Sequence, residues 1–338
     1  MSTIHTPPPM LDAVPDFRLF ALGATAGLGR AISDALGQPL ARHEERDFED
    51  GEHKVRPLDP VEGADVYVVQ SLHGGPDQSA NDKLCRLLFF IGALKDAGAA
   101  RVTAVTPYLC YARKDRRTKP NDPVTTRYVG MLFDALGVDA VVTLDVHNPS
   151  AFENAFRCRT VALTAAPLFV DHVAGLGEVQ LCVVSPDPGG VKRAELLREA
   201  LEDRLGRPVG KAFADKHRSA GVVTGDLLVG DVAGAVALIV DDLVSTGGTL
   251  VRAARAAKAA GARRAVAVVT HGLFMPGAAE TLADPAIDRL VATDAVPAFR
   301  LGEHPLRAKL DVLASGPLLA EAISRLHRRQ PLTDLMVY

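Results

Sequence analysis

Short runs of β-branched and aliphatic residues alternate with longer Ala/Leu-rich stretches along nearly the whole chain, the pattern of parallel α/β sheets. In the first half, strands are expected at Arg18–Leu22, Val66–Gln70, Arg101–Thr106 and Ala140–Leu144. Helices fit Leu28–Leu36, Asp82–Ala97 and Thr125–Leu136. A second series opens near residue 160, with strands at Leu181–Ser185, Ala237–Val240 and Ala265–Thr270 and helices at Val191–Leu205 and Thr249–Ala260. Gly261 is placed to cap the last of these, because glycine takes the left-handed conformation without penalty. A final helix is expected at Pro317–His327 after a stretch broken by Pro and Gly.

This layout divides the chain into a flexible arm (1–16), two α/β domains (17–158 and 159–304) and a C-terminal helix and tail (305–338) that packs back on the N-terminal domain. The two halves share a layout without a recognisable sequence repeat. A length of 338 residues accommodates two domains.

Composition narrows the function. The net charge of -3 gives no bulk attraction for nucleic acid or anionic membranes, so any anion site must be built locally. The longest apolar runs, Leu87–Leu94 and Ala235–Val240, are far shorter than the roughly 18 residues that span a bilayer. The N-terminus lacks a basic-then-apolar leader pattern. The four cysteines have no metal-ligand spacing and are expected to be small buried thiols in a reducing compartment. The expectation is a cytoplasmic protein with no nucleic-acid or membrane partner.

The most informative segment is Val240-Asp241-Asp242-Leu243-Val244-Ser245-Thr246-Gly247-Gly248-Thr249. An apolar strand ends in two acids, then a small hydroxyl- and glycine-rich turn opens a helix. Such a turn lets consecutive backbone N–H groups converge on an anion, and the helix N-terminus adds favourable partial charge. The paired carboxylates stand where ribose hydroxyls would be held, directly or through a divalent cation. Elsewhere, Tyr108–Arg117 carries Arg113, Lys114, Asp115, Arg116 and Arg117 in one dense loop after a strand, suited to polyphosphate. Taken alone, such a loop is more often a solvated basic surface, and a single His such as His147 in Leu144-Asp145-Val146-His147 more often a packed or surface residue than a ligand.

The 240–249 segment resembles the phosphoribosyl-diphosphate (PRPP) motif of type I phosphoribosyltransferases and PRPP synthetases. Further segments resemble PRPP synthetases, the ribose-phosphate pyrophosphokinases, in that family's order: Phe48-Glu49-Asp50-Gly51-Glu52, Tyr111-Ala112-Arg113-Lys114-Asp115-Arg116, Asp145-Val146-His147, Val184-Ser185-Pro186-Asp187-Pro188-Gly189-Gly190 and Asp215-Lys216-His217-Arg218. The resemblance implies two similar phosphoribosyltransferase-like domains, each a mainly parallel sheet flanked by helices. It implies diphosphoryl transfer from ATP to ribose 5-phosphate with Mg²⁺ as cofactor, in a self-associating, commonly hexameric assembly. ATP would contact Phe48, Asp50, Gly51, Glu52, Arg113, Lys114, Asp115 and His147. Ribose 5-phosphate would contact Arg218, Asp241, Asp242, Ser245, Thr246, Gly247, Gly248 and Thr249. His147 and Asp187 would hold the metal, and Lys216 and Arg218, on a mobile loop, would be catalytic. Lys114 replaces a family glutamine, His217 an arginine, and Ser245 a common aspartate.

Three other readings are weaker. A non-catalytic regulatory subunit would be expected to lose some of these residues, and all are present. A phosphoribosyltransferase leaves the basic loop without a role. The turn Gly23-Ala-Thr-Ala-Gly27-Leu-Gly29 superficially resembles that of short-chain dehydrogenases, but no tyrosine here has the Tyr-x-x-x-Lys spacing.

Overall fold

The computed structural model describes residues 16–175, 180–219 and 222–337, with the side chains of 215–227 outside that description. The expected arm (1–16) therefore lies almost wholly outside the described residues.

The first sheet is all parallel, in the order β1 (Phe17–Ala21), β4 (Asp65–Val69), β5 (Arg101–Val105), β6 (Ala140–Leu144), β7 (Arg159–Leu163). Its connections carry α1 (Ala26–Leu36), a charged hairpin of β2 (His43–Asp47) and β3 (His53–Pro57), α2 (Ala80–Asp96), α3 (Thr125–Ala135) and α4 (Pro149–Ala155). After α5 (Ala166–Ala174), the second sheet is built from β8 (Leu181–Ser185), β9 (Gly210–Ser219), β10 (Val222–Val229), β11 (Val236–Val244), β12 (Arg264–Gly272), β13 (Arg289–Thr293) and β14 (Leu310–Leu313). Its order is β10-β9-β8-β11-β12-β13-β14, parallel except for the β9/β10 pair at the edge. Helices α6 (Val191–Leu205), α7 (Gly248–Ala259), α8 (Ala278–Leu282) and α9 (Gly316–His327) complete the chain.

Strands such as β4, β6 and β8 are buried at every position, as sheets covered on both faces require. Helix α7 ends in a Schellman motif: Gly261 has φ 90°, its N–H donates to Lys258 O, and Ala262 N–H donates to Ala257 O. The expected division at residue 158 falls before β7, which belongs to the first sheet; β14, expected in the tail, belongs to the second.

Among the described residues, apolar side chains form three cores. One joins the outer face of the first sheet to α2, α3 and α4; another joins the outer face of the second to α7 and α8. The middle core is shared: Leu19, Val142 and Leu163 from one sheet and Val183, Leu238 and Val291 from the other meet α5, α6 and α9. Helix α9 lies against α1, where Gly316 leaves room that a Cβ would take at 2.8 Å from the Ala31 Cβ. His327 Nδ1 reaches Asp65 Oδ2 at 2.8 Å on the first sheet. No described helix is long and apolar enough to cross a membrane.

Candidate active site

The carboxyl ends of β6, β8, β11 and β12 converge on a cleft of about 1100 Å³. Open α/β sheets bind ligands at this end, where loops leave the strands. The cleft collects residues far apart in sequence: Arg113, Asp115 and Arg116; Asp145, His147 and Asn148; Asp187; Lys192 and Arg193; and 240–250.

His147 stands just beyond β6, on a turn held under backbone strain. Asp145 has φ 40°, unusual for a residue with a Cβ. Its carboxylate accepts from Ala165 N (3.1 Å) and from Thr270 Oγ1 on β12 (2.5 Å). His271 Nε2 lies 2.8 Å from Leu144 O. The second domain thus pins the turn that carries a first-domain residue into the cleft.

Asp241 and Asp242 end the apolar part of β11. His147 Nδ1 is 2.8 Å from Asp242 Oδ2, while Arg193 Nη1 lies 3.2 Å from Asp241 Oδ1 and 3.4 Å from Asp242 Oδ1. Burial alone would raise the Asp242 pKa, but the hydrogen bond with His147 and the charge of Arg193 outweigh it and hold this carboxyl below its ordinary range. Asp241 goes the other way, raised by burial and then by Asp242 beside it. The hydrogen bond to Asp242 raises His147, against burial.

The phosphate-type loop follows. Gly247 has φ 85°, and a Cβ there would fall 2.6 Å from Leu282 Cγ, so only glycine fits. Met275 N–H donates to Ser245 O at 2.9 Å, which secures the loop from behind. Helix α7 begins at Gly248, and the first amides of a helix have no acceptors within it.

Asp187 caps the turn between β8 and α6: its Oδ1 accepts from Gly189 N (2.9 Å) and Gly190 N (3.1 Å). Among the described residues no three His, Cys, Asp or Glu side chains cluster tightly enough to cage a metal alone. The His147–Asp242 contact has the form by which a carboxylate orients a metal-binding imidazole, with Nε2 as the remaining ring nitrogen.

At the other wall, Asn148 Nδ2 donates to Asp115 Oδ2 at 2.6 Å. Lys114 does not line the cleft: its Nζ donates to Asp122 Oδ2 at 2.6 Å. Phe48, Asp50, Gly51 and Glu52 also stand apart, at the exposed tip of the β2–β3 hairpin. There Gly51 takes φ 89° and Arg46 lies over the Phe48 ring at 5.2 Å.

Two family models cover most of this architecture. The N-terminal domain of ribose phosphate pyrophosphokinase matches residues 17–137, and the phosphoribosyl synthetase-associated domain matches 223–337. A ribose-phosphate pyrophosphokinase of Hyphomonas neptunium is 38% identical over 321 residues, covering 94% of this chain and 99% of that protein. The chain belongs to the ribose-phosphate pyrophosphokinase family. It is 36% identical to the Haemophilus ducreyi ribose-phosphate pyrophosphokinase over 325 residues, 95% of this chain and 99% of that one. The crystal structure of the Mycobacterium smegmatis phosphoribosylpyrophosphate synthetase aligns with a TM-score of 0.82 at 31% identity, over 93% of this chain and 99% of that one. The fold is that of the family's two phosphoribosyltransferase-like domains.

Within this pyrophosphokinase framework two expectations need correction. Residues 214–218, expected on a loop, have strand backbone on β9, where Lys216 pairs with Asp226 and Arg218 with Val223. The side chains of Lys216 and Arg218 lie outside the described residues. Cys85, expected to be buried, is exposed on α2; all four cysteines are free thiols. The glycine-rich turn at 23–29 has no vacancy for a pyrophosphate, since the Glu45 carboxylate accepts from Gly23 N at 2.5 Å. Gly29 is there for packing: a Cβ would lie 2.1 Å from the Ala21 Cβ.

Sequence reading missed Arg193, Asp145, Asn148 and Thr270. Arg193 sits in a helix rich in charged residues, where nothing in the sequence singles it out, and Asp145 lies within a recognised segment but beside the more conspicuous His147. Only the spatial closeness of β6, β8, β11 and β12 brings them into view.

Proposed function

We propose that this ribose-phosphate pyrophosphokinase transfers the β,γ-diphosphate of ATP to the anomeric oxygen of ribose 5-phosphate, releasing AMP and PRPP. The observation that carries the reading is the facing of Arg113 and Asp115 against the 241–249 loop across one cleft. A nucleotide polyphosphate on the first wall and a sugar phosphate on the second would then meet in between.

The protein's share of such chemistry is positioning and charge compensation, since the transferring phosphoryl group needs little covalent help. Ser245, Thr246 and Thr249, with the amides of Gly247 and Gly248, anchor the 5-phosphate. Asp241 accepts from the ribose hydroxyls, and Asp242 supports the same wall. Arg113 binds phosphate oxygens of ATP, and Asp115 stands beside it. Phe48, Asp50, Gly51 and Glu52 form the adenosine contact. Lys216 and Arg218 stabilise the charge that develops on the transferring group, with Arg218 also contacting the sugar phosphate. His147 and Asp187 hold Mg²⁺, which when bound neutralises phosphate charge during transfer.

The hairpin tip stands outside its own chain's cleft, which supports a self-associated enzyme, hexameric or dimer-based, in which a neighbouring copy supplies the adenosine contact. Phe89, Tyr128, Met131 and Leu132, exposed on α2 and α3, offer apolar surface for such contacts. The enzyme would work in the cytoplasm, feeding nucleotide, histidine and NAD synthesis. Incubation with ATP, ribose 5-phosphate and Mg²⁺ tests the reading: AMP and PRPP should form in equal amounts. Formation of ADP instead would replace it with simple phosphorylation.

A further inference from the structure

We infer that Arg193 is a positioning residue for the sugar-phosphate half of the site, locking Asp241 and Asp242 into one fixed pair of acceptors. This rests on the reading above that Asp241 meets the ribose hydroxyls.

The pair cannot hold its shape unaided. Consecutive residues of a strand point to opposite faces, yet Oδ1 of Asp241 and Oδ1 of Asp242 lie within 3.4 Å of the same guanidinium nitrogen. Asp242 N–H also donates to Asp241 Oδ1 at 2.9 Å. Two carboxylates drawn together in a wall with little solvent repel, and a cation between them is what makes the geometry tolerable.

Arg193 is delivered by the fold rather than by chance contact. Strand β8 pairs with β11 in the register Val184↔Ile239, so the helix that follows β8 begins beside the end of β11. That helix, α6, starts at Val191 immediately after Gly190, where a Cβ would lie 2.9 Å from Ser185 Oγ. The tight turn sets Arg193 in the first turn of α6, its side chain three-quarters buried between the Asp187 turn and the acidic pair.

The same contacts separate the two aspartates by role. Asp242 is 4% exposed, with Oδ2 against His147 and Oδ1 facing Arg193, so its oxygens are committed within the protein. Both line the cleft, and Asp241, 21% exposed, is the more open of the two. Asp242 is therefore the pivot that ties the first domain to Arg193, and Asp241 the arm held out towards the sugar. Arginine suits this place because its rigid fork spans two acceptors, whereas a lysine is a point charge on a flexible stem. Among the described residues no hydrogen bond or ion pair joins Arg193 to Arg113 or Asp115, so its effect should fall on the sugar phosphate and spare the nucleotide.

Kinetics of Arg193→Ala, Arg193→Gln and Arg193→Lys test this. Arg193→Ala should raise KM for ribose 5-phosphate about 10- to 100-fold, the loss of a charge-assisted contact. KM for ATP should stay within about twofold, and Arg193→Lys should recover part of the loss while Arg193→Gln should not. An unchanged KM for ribose 5-phosphate, or an equal rise for both substrates, overturns the inference. Should the alanine variant fail to fold, the lysine and glutamine variants carry the comparison. If the wild type makes no PRPP, the proposed reaction fails, and calorimetric binding of ribose 5-phosphate still decides Arg193. Weaker binding by the variants would support its role, and equal binding would refute it.

Discussion

His147 and Asp242, 95 positions apart, are joined at 2.8 Å between Nδ1 and Oδ2, and this contact bridges the two domains. Under the proposed reading it orients the imidazole so that Nε2 would be the nitrogen offered to Mg²⁺. His147→Ala should therefore raise the Mg²⁺ concentration giving half-maximal activity about 10-fold or more, and Asp242→Asn should do the same less severely. Metal titrations of activity check this, and an unchanged midpoint in both variants would remove His147 from the metal site.

Lys216 is proposed to act on the transferring group. Lys216→Ala should lower kcat by about 100-fold or more while leaving ATP affinity nearly constant, the sign of an interaction made in the transition state. Single-turnover kinetics with direct ATP binding measure both terms, and equal losses in each would reassign Lys216 to ground-state binding.

Asp122 gathers four donors onto one oxygen: Lys114 Nζ, Thr118 N, Thr118 Oγ1 and Lys119 N. These contacts hold its carboxyl far below the ordinary range, with the Lys114 hydrogen bond the largest cause. Lys114 thus serves as a clasp for the loop whose base presents Arg113. Lys114→Met and Asp122→Asn should raise KM for ATP to similar extents, and the double variant should be no worse than either. Additive losses would mean that Lys114 touches the nucleotide itself.

Lys83 is 2% exposed, and its ammonium lies 3.4 Å and 3.5 Å from the two ring nitrogens of His73. Burial, then the charge of Arg300, pulls its pKa down to about 8. Between about 8 and the unfolded value near 10.4 the folded state binds fewer protons, so this group's contribution to stability improves as pH rises through that window. Below it the cost of the buried charge is fully present. Lys83→Met should raise the urea midpoint at pH 7 and flatten the pH dependence between 8 and 10. A lower midpoint at pH 7 would show that the charge is compensated.

Gly27 and Gly29 give a paired test of the turn near the N-terminus. Gly29→Ala forces a Cβ into Ala21 and should cost about 1–3 kcal/mol. Gly27→Ala meets nothing within 4 Å and should gain about 0.5–1 kcal/mol, as alanine replaces glycine in a helix. Denaturation curves compare them directly.

The strands that could be read from sequence are those buried on both faces, because continuous apolar runs leave little choice of structure. The β2–β3 hairpin could not be read this way. His43–Asp47 has no apolar residue, and its ladder is supported by Arg56 against Glu44 and by Val55 packed towards α2. Likewise β9 is charged through much of its length and sits near the edge of its sheet, where pairing with β10 rather than burial sets its conformation. Linear motifs marked the candidate site because strand ends carry them intact. Arg193 with Asp241, and Thr270 with Asp145, are separated by 48 and 125 positions and meet only through sheet order.

The middle core, common to both sheets, has a mechanical consequence. A molecule cemented through its centre cannot open and shut like jaws, so the two walls of the cleft keep a fixed span whatever occupies it. Under the proposed reading, adaptation to a nucleotide then falls to parts that stand clear of the cement, the 113–122 segment and the hairpin tip at 48–52. The enzyme is better pictured as a vice set to one width, with adjustable fingers at its rim.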